Sequence, residues 1–334
     1  MRSGLRALST RVPPIAALPP PALEGQVAWV IGGIGVIGSG LVRGLLRAGA
    51  TVVVNSRFPS RLEQLNDELG SPEKLVAINA SLLPGHAEST IQERRRAPSP
   101  PVQPSPPVPQ SPQPLCHPSH LLCRVHQTAL EFTGGRLDHV VAHSAVRWWR
   151  TQGGVPVGGG LDEAEHAVPL SSSRVLDLST EEYVCGSTQL PALHHCVARR
   201  LLPRLLAVPG ASYTFVTGGG NEDARSAIGQ VNAQAVWGLA AALRNDLRDS
   251  EVKLREVRVG LKFNRRRAER LADPRERPLS HDLGAICAGI AASDERGVRP
   301  THMLAAKDDC DLLKARFPVA DQGYSVYFRS ADML

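Results

Sequence analysis

Lysine is almost missing from this chain. Of 38 basic residues only five are lysines (Lys74, Lys253, Lys262, Lys307 and Lys314), so none lies between residues 75 and 252. Any chemistry that needs a lysine from that stretch is excluded. The uninterrupted apolar run of ~18–20 residues that crosses a bilayer is missing too, which excludes a helical membrane protein and leaves no membrane partner to expect. No C-x-x-C pair exists among the six cysteines (116, 123, 185, 196, 287 and 310). The cluster Cys116, His117, His120, Cys123 and His126 lacks the spacing of a zinc site, so no metal is expected. With a large core available disulfides are unnecessary, and reduced thiols in an intracellular compartment are the default.

What is present is ordinary globular composition: 334 residues, 42% apolar and 21% charged. The net charge of +6 is spread along the chain rather than gathered in a patch, and no nucleic-acid partner is expected. Residues 1–23 carry Arg2, Arg6 and Arg11, several hydroxyl residues and no acid. That composition fits an organelle transit peptide (mitochondrion or plastid). Prolines 13, 14, 19, 20 and 21 equally fit a disordered tail on a cytoplasmic protein. A domain is expected over 24–310, with a C-terminal extension over 311–334. Within it, 97–120 holds ten prolines in 24 positions and can build neither helix nor sheet, so it reads as an insertion.

From Gln26 the pattern is alternating β/α. Gln26–Ile31 is a short apolar run ending in glycines; Ser39–Ala48 has helical spacing and stops at Gly49. Thr51–Val54 reads as a strand, Ser60–Leu69 as a helix with a serine cap, and Leu75–Ile78 as a third strand. Leu137–Ala142, Tyr213–Thr217 and Val257–Leu261 read as later strands, with helices at about 181–202, 224–248 and 280–292. Gly153–Gly160 opens a long loop that could close over a site. Apolar strands separated by helices imply a parallel sheet covered on both faces.

The strongest motif is Ile31-Gly32-Gly33-Ile34-Gly35-Val36-Ile37-Gly38, a G-x-G-x-x-G that follows a strand and opens a helix. Its first glycine allows a tight turn, the second lets main-chain N–H groups approach a pyrophosphate, and the third allows close packing. The helix N-terminus meets the negative charge. Gly32, Gly33, Ile34, Gly35, Val36, Ile37 and Gly38 are therefore the expected cofactor cradle. An NAD-preferring site places Asp or Glu at the end of the next strand, yet no acid occurs between Glu24 and Glu63. Ser56 and Arg57 stand there instead, with Arg61 one turn on, which favours a 2′-phosphate and hence NADP(H) over NAD(H).

With these residues, the chain resembles the short-chain dehydrogenases/reductases across roughly 24–310. Gly134-Gly135-Arg136-Leu137-Asp138-His139-Val140-Val141, leading to Ala142 in the cofactor site, and Leu201-Leu202-Pro203 closing a long helix also fit. The resemblance implies a Rossmann-type doubly wound parallel sheet of about seven strands with helices on both faces. It implies a nicotinamide cofactor and a homodimer or homotetramer paired through the helices at 181–202 and 224–248. It also implies carbonyl/alcohol redox chemistry on a substrate that the sequence does not name.

That family uses a tyrosine, a lysine four residues later, and a serine. Here the residues four places after Tyr183, Tyr213, Tyr324 and Tyr327 are Ser187, Thr217, Phe328 and Ala331. Alignment sets Gly229 in the tyrosine position, Ala233 in the lysine position, Gly218 or Gly219 in the serine position, and Leu190 near the usual asparagine. His143 and Ser144, at the end of the fourth strand, are the candidate substitutes, the histidine as an acid titrating near neutrality. Asn221, Glu222, Asp223 and Arg225 could also lie beside the nicotinamide. Arg147, Trp148 and Trp149 could wall the site, and Arg265, Arg266, Arg267 and Arg270 could steer an anion. Three readings follow: an NADP(H)-dependent oxidoreductase with a non-standard proton donor, an inactive nucleotide-binding sensor or regulatory subunit, and a structural partner.

Overall fold

Val27–Ile31 is buried at all five positions, alternating between two apolar layers, and forms β1 at the centre of the molecule. The computed structural model describes residues 22–56, 58–80, 131–143, 148–150, 156–158, 168–169, 174–219, 227–263, 278–294 and 300–319. After β1 come α1 (Val36–Arg47), β2 (Thr51–Ser56), α2 (Pro59–Glu68), β3 (Leu75–Asn79) and β4 (His139–Ala142). Three short strands follow: β5 (Trp148–Arg150), β6 (Pro156–Gly158) and β7 (Val168–Pro169). The remainder is α3 (Thr180–Leu205), β8 (Ser212–Gly218), α4 (Ala227–Asp246), β9 (Lys253–Val259), α5 (Ser280–Ala292), β10 (Thr301–Leu304) and α6 (Lys307–Arg316).

Seven strands form one sheet in the order β3-β2-β1-β4-β8-β9-β10, every pair parallel. The expected Rossmann-type sheet is what forms. Strand order reverses between β1 and β4, and there the carboxyl ends of a doubly wound sheet open a ligand crevice. Each face has its own core. Leu41, Leu45, Leu283, Ile286 and Ile290 of α1 and α5 pack on Val30, Val54, Val141, Val216 and Val257. Leu193, Val197, Leu201, Val236 and Ala240 of α3 and α4 pack on Trp29, Ile31, Val140, Tyr213 and Phe215.

Several elements differ from expectation for physical reasons. Helix α1 begins at Val36, three residues early, because glycine at Gly38 lets the first turn lie against the glycine loop. Helix α2 has no serine cap: Phe58 is its N-cap and Pro59 takes the first helical position, where a missing N–H costs nothing. Strand β9 begins at Lys253 rather than Val257. Its charges are matched in place, with Lys253 Nζ donating to Ala291 O (3.1 Å) and Ser293 O (2.7 Å), and Glu256 held by Arg244 and Arg258. The long loop after β4 carries a three-stranded antiparallel sheet, β6-β5-β7, with β6 lying against α3. Strand β10 and helix α6 were not anticipated; α6 crosses residue 310, where the sequence suggests an ending. At the other end Leu23 is already buried, its N–H donating to Ala48 O at 2.8 Å.

Candidate functional site at the carboxyl edge

The glycine loop turns directly off β1. Gly32 has φ +79°, a conformation that favours glycine, and Gly35 N–H donates to Gly32 O at 3.3 Å. A Cβ at Gly33 would meet Val54 Cγ1 at 2.7 Å, and one at Gly38 would overlap the Gly32 carbonyl oxygen. These three glycines are explained by the protein's own packing. Gly35 is not. Its φ is −77°, and the nearest atom to an added Cβ is Gly32 O at 3.7 Å, an ordinary contact. Gly35 is also the N-cap of α1, with no side-chain cap and no acid in the first helical turn.

A helix start with bare N–H groups and no local carboxylate is an anion site. The cradle therefore fits a diphosphate, and Gly35 is where such a ligand would need the missing side chain. Gly35 and Val36 are exposed, whereas Ile34 and Ile37 pack on the core and only frame the loop.

The other expected cofactor residues are placed as follows. Ser56 ends β2 and is buried; its Oγ accepts from Phe58 N at 3.0 Å and shapes the turn into α2, leaving its O–H to donate. Arg61 lies in the first turn of α2. Ala142 ends β4 opposite Ile31 and is fully buried, so only its main chain can face a ligand. Arg57 and Ser144 lie outside the described residues, as do Arg147, Asn221, Glu222, Asp223, Arg225, Arg265, Arg266, Arg267, Arg270, the 97–120 insertion and the Cys116–His126 cluster.

His143 continues the β4 ladder, its N–H donating to Ile31 O at 3.0 Å, and so stands in the β1/β4 crevice. Its Nδ1 lies 3.4 Å from Val216 O, which assigns the ring proton to Nδ1 and leaves Nε2 as an acceptor. Burial lowers its pKa from the ordinary histidine value, only partly opposed by that hydrogen bond. The sequence suggested an acid titrating near neutrality; a desolvated ring instead stays neutral and offers a lone pair.

Across the crevice, a Cβ at Gly218 would touch Ala233 Cβ at 3.8 Å, so α4 does cover the end of β8 at that position. Neither residue can exchange a proton. Among the described residues there is no metal-ligating cluster and no helix long and apolar enough to cross a membrane. A cavity of about 530 Å³ opens at the opposite, amino edge, beside Arg244, Arg248 and Lys253. Those cations are already engaged by Glu256, Asn245 and the α5 carbonyls, and the glycine loop is at the other end of the strands. The site is the carboxyl-edge crevice.

Comparison with known proteins agrees with this geometry. A family model described as coenzyme F420-dependent NADP oxidoreductase matches residues 28–93, the stretch holding the glycine loop and β2. No curated protein matches the chain. Among solved structures, a protein described as a short chain dehydrogenase from Pseudomonas syringae superposes with a TM-score of 0.58 at 19% identity, covering 86% of this chain and 97% of that one. A metagenomic short-chain oxidoreductase in complex with NADP gives 0.57 at 16% identity, covering 85% and 97%. Pseudomonas aeruginosa RhlG, in an NADP active-site complex, gives 0.57 at 16%, covering 86% and 97%. The chain has the fold of the short-chain dehydrogenases/reductases.

Proposed function

We propose that the chain binds NADP(H) along the carboxyl edge and works as an oxidoreductase on a carbonyl/alcohol pair. One observation carries the binding: Gly35 is a glycine that neither backbone conformation nor packing requires, set at an uncapped helix start. The α1 N–H groups hold the diphosphate, Ser56, Arg57 and Arg61 surround the 2′-phosphate, and the main chain of Ala142 lines the crevice. When bound, the nicotinamide supplies or takes up the hydride. His143 holds its Nδ1 proton on Val216 O and accepts a proton at Nε2, which makes alcohol oxidation the direction its resting state serves. Two of the similar structures contain NADP, which supports the choice of cofactor.

Calorimetric titration with NADPH and NADH is the test. NADPH is expected to bind more tightly, and Arg57→Ala to remove the preference. Binding of neither dinucleotide sinks the proposal. Turnover of a panel of alcohols, ketones and aldehydes, with His143→Ala as control, then tests the chemistry. A second reading, a nucleotide-binding sensor or regulatory subunit without turnover, is favoured by the side-chain-poor pair Gly218 and Ala233. NADPH binding without activity on any substrate selects it.

A further inference from the structure

The cavity of about 530 Å³ at the amino edge has no part in the cofactor reading, and its lining is sorted by charge. It opens between the end of α4, residues 249–252, the start of β9, and Pro300. Four cations line it, Arg244, Arg248, Lys253 and Arg255, against two carboxylates, Asp249 and Glu251. Lys253 and Arg255 are each only 8% exposed, and Arg244 is half-buried. Asp249 and Glu251 are exposed, as is Arg248 alone among the cations. Exposed charges are screened by water and salt, whereas charges set in low-dielectric walls project their field into the cleft. The buried charge of this lining is all positive.

The cations are also held in place. Arg248 Nη2 donates to Asn245 Oδ1 at 2.6 Å, and Lys253 Nζ to the Ala291 and Ser293 carbonyls at 3.1 and 2.7 Å. Those acceptors are neutral, so they fix the cations without cancelling their charge. Arg244 rests on Glu256, but Arg258 shares that carboxylate, which leaves the lining and its backing with two positive charges in surplus. Leu247, Val252, Leu254 and Pro300 supply apolar wall beside them.

We propose that this cavity is a second ligand site, and that its ligand is a phosphomonoester of a small organic molecule. A phosphate group carries about two negative charges near neutral pH, which matches the surplus, and guanidinium forks pair with its oxygens. The volume falls within the ~300–1,000 Å³ of small-molecule sites, so an organic body has room against the apolar wall. The cavity lies at the opposite end of the strands from the glycine loop, and the proposal stands independently of the cofactor reading.

The test is calorimetric titration of the full chain with glucose 6-phosphate and with AMP, each against its uncharged parent, glucose or adenosine. At least one ester is expected to bind at one per chain, and neither parent to bind. Arg248→Gln is expected to weaken that binding about tenfold, and Arg248→Lys to weaken it less. Urea unfolding of Arg248→Gln is expected to match wild type, because the side chain is exposed. Asp249→Asn, which removes a repelling charge, is expected to tighten binding about threefold. Arg57→Ala is the control for the carboxyl edge and is expected to leave binding of the ester unchanged. The proposal is overturned if neither ester binds, if Arg248→Gln binds as wild type does, or if Arg57→Ala is the variant that loses the ester.

Discussion

At the amino edge of the seven-stranded sheet, buried polar groups meet inside the chain; at the carboxyl edge the start of α1 is left without a side-chain cap. Asp138 accepts from Val27 N at 2.7 Å and from Arg136 Nε at 2.8 Å. His139 bridges Ser212 and Gln26, and Lys253 caps the end of α5. Opposite them stand Gly35 with no cap and Gly218 facing Ala233. The contrast separates residues whose change unfolds the protein from residues whose change empties its site, and it can be tested by ranking variants on unfolding free energy.

The largest effect is expected at Gly38. A methyl group there overlaps the Gly32 carbonyl oxygen, a backbone atom that cannot swing aside. Gly38→Ala is expected to cost at least the ~3 kcal/mol at the upper end of overpacking, read by urea unfolding, and to lose NADPH binding with it. Unchanged unfolding would mean that the loop is not packed as described.

Next is His139, neutral in the fold because burial and the nearby Lys253 charge bring its pKa down to about 4. Its Nε2–H donates to Gln26 Oε1, and Nδ1 accepts from the Ser212 hydroxyl. The unfolded chain protonates near pH 6.5, so stability is full above that value and is lost as pH falls toward 4. The loss amounts to about 3 kcal/mol from this one group. His139→Gln, compared with wild type across that window by chemical denaturation, is expected to flatten the profile. A parallel pair of curves would contradict it.

Lys253→Met comes third. It removes the donor from Ala291 O and Ser293 O, at a cost of about 1–3 kcal/mol. Because the Lys253 charge also depresses His139, the variant should raise the folded-state His139 pKa toward 6.5, which narrows the pH window and shrinks the pH-dependent part of the stability. Stability loss without that change in pH dependence would uncouple the two residues.

The legible part of the molecule was the part governed by neighbours in sequence. Val27–Ile31, the glycine loop and Thr51–Val54 declare themselves through apolar runs and glycine spacing, and the β/α rhythm implies a parallel sheet. Strand β9 was begun four residues late, and run two past its end, because Lys253, Arg255 and Glu256 look like a solvated segment. Their partners, Arg244 and the carbonyls of α5, come from helices distant in sequence. The site shows the same division. Local spacing marks the cradle, whereas the roles of its glycines depend on what a Cβ would strike. Likewise, the lowered pKa of His143 depends on burial that no pattern displays.

The smallest effect on stability is expected at Gly35, and there the comparison is sharpest. It lies only three positions before Gly38, yet its backbone suits any residue and an added methyl meets nothing closer than 3.7 Å. Gly35→Ala should therefore unfold within ~0.5 kcal/mol of wild type, as a surface substitution does. The same methyl would stand where a diphosphate approaches the α1 N–H groups, so NADPH affinity should fall by about tenfold or more, some 1.4 kcal/mol. Gly38→Ala loses fold and ligand together, while Gly35→Ala loses the ligand from an intact fold. If Gly35→Ala bound NADPH as wild type does, the carboxyl edge would be open for some other reason, and the diphosphate would have to be placed elsewhere.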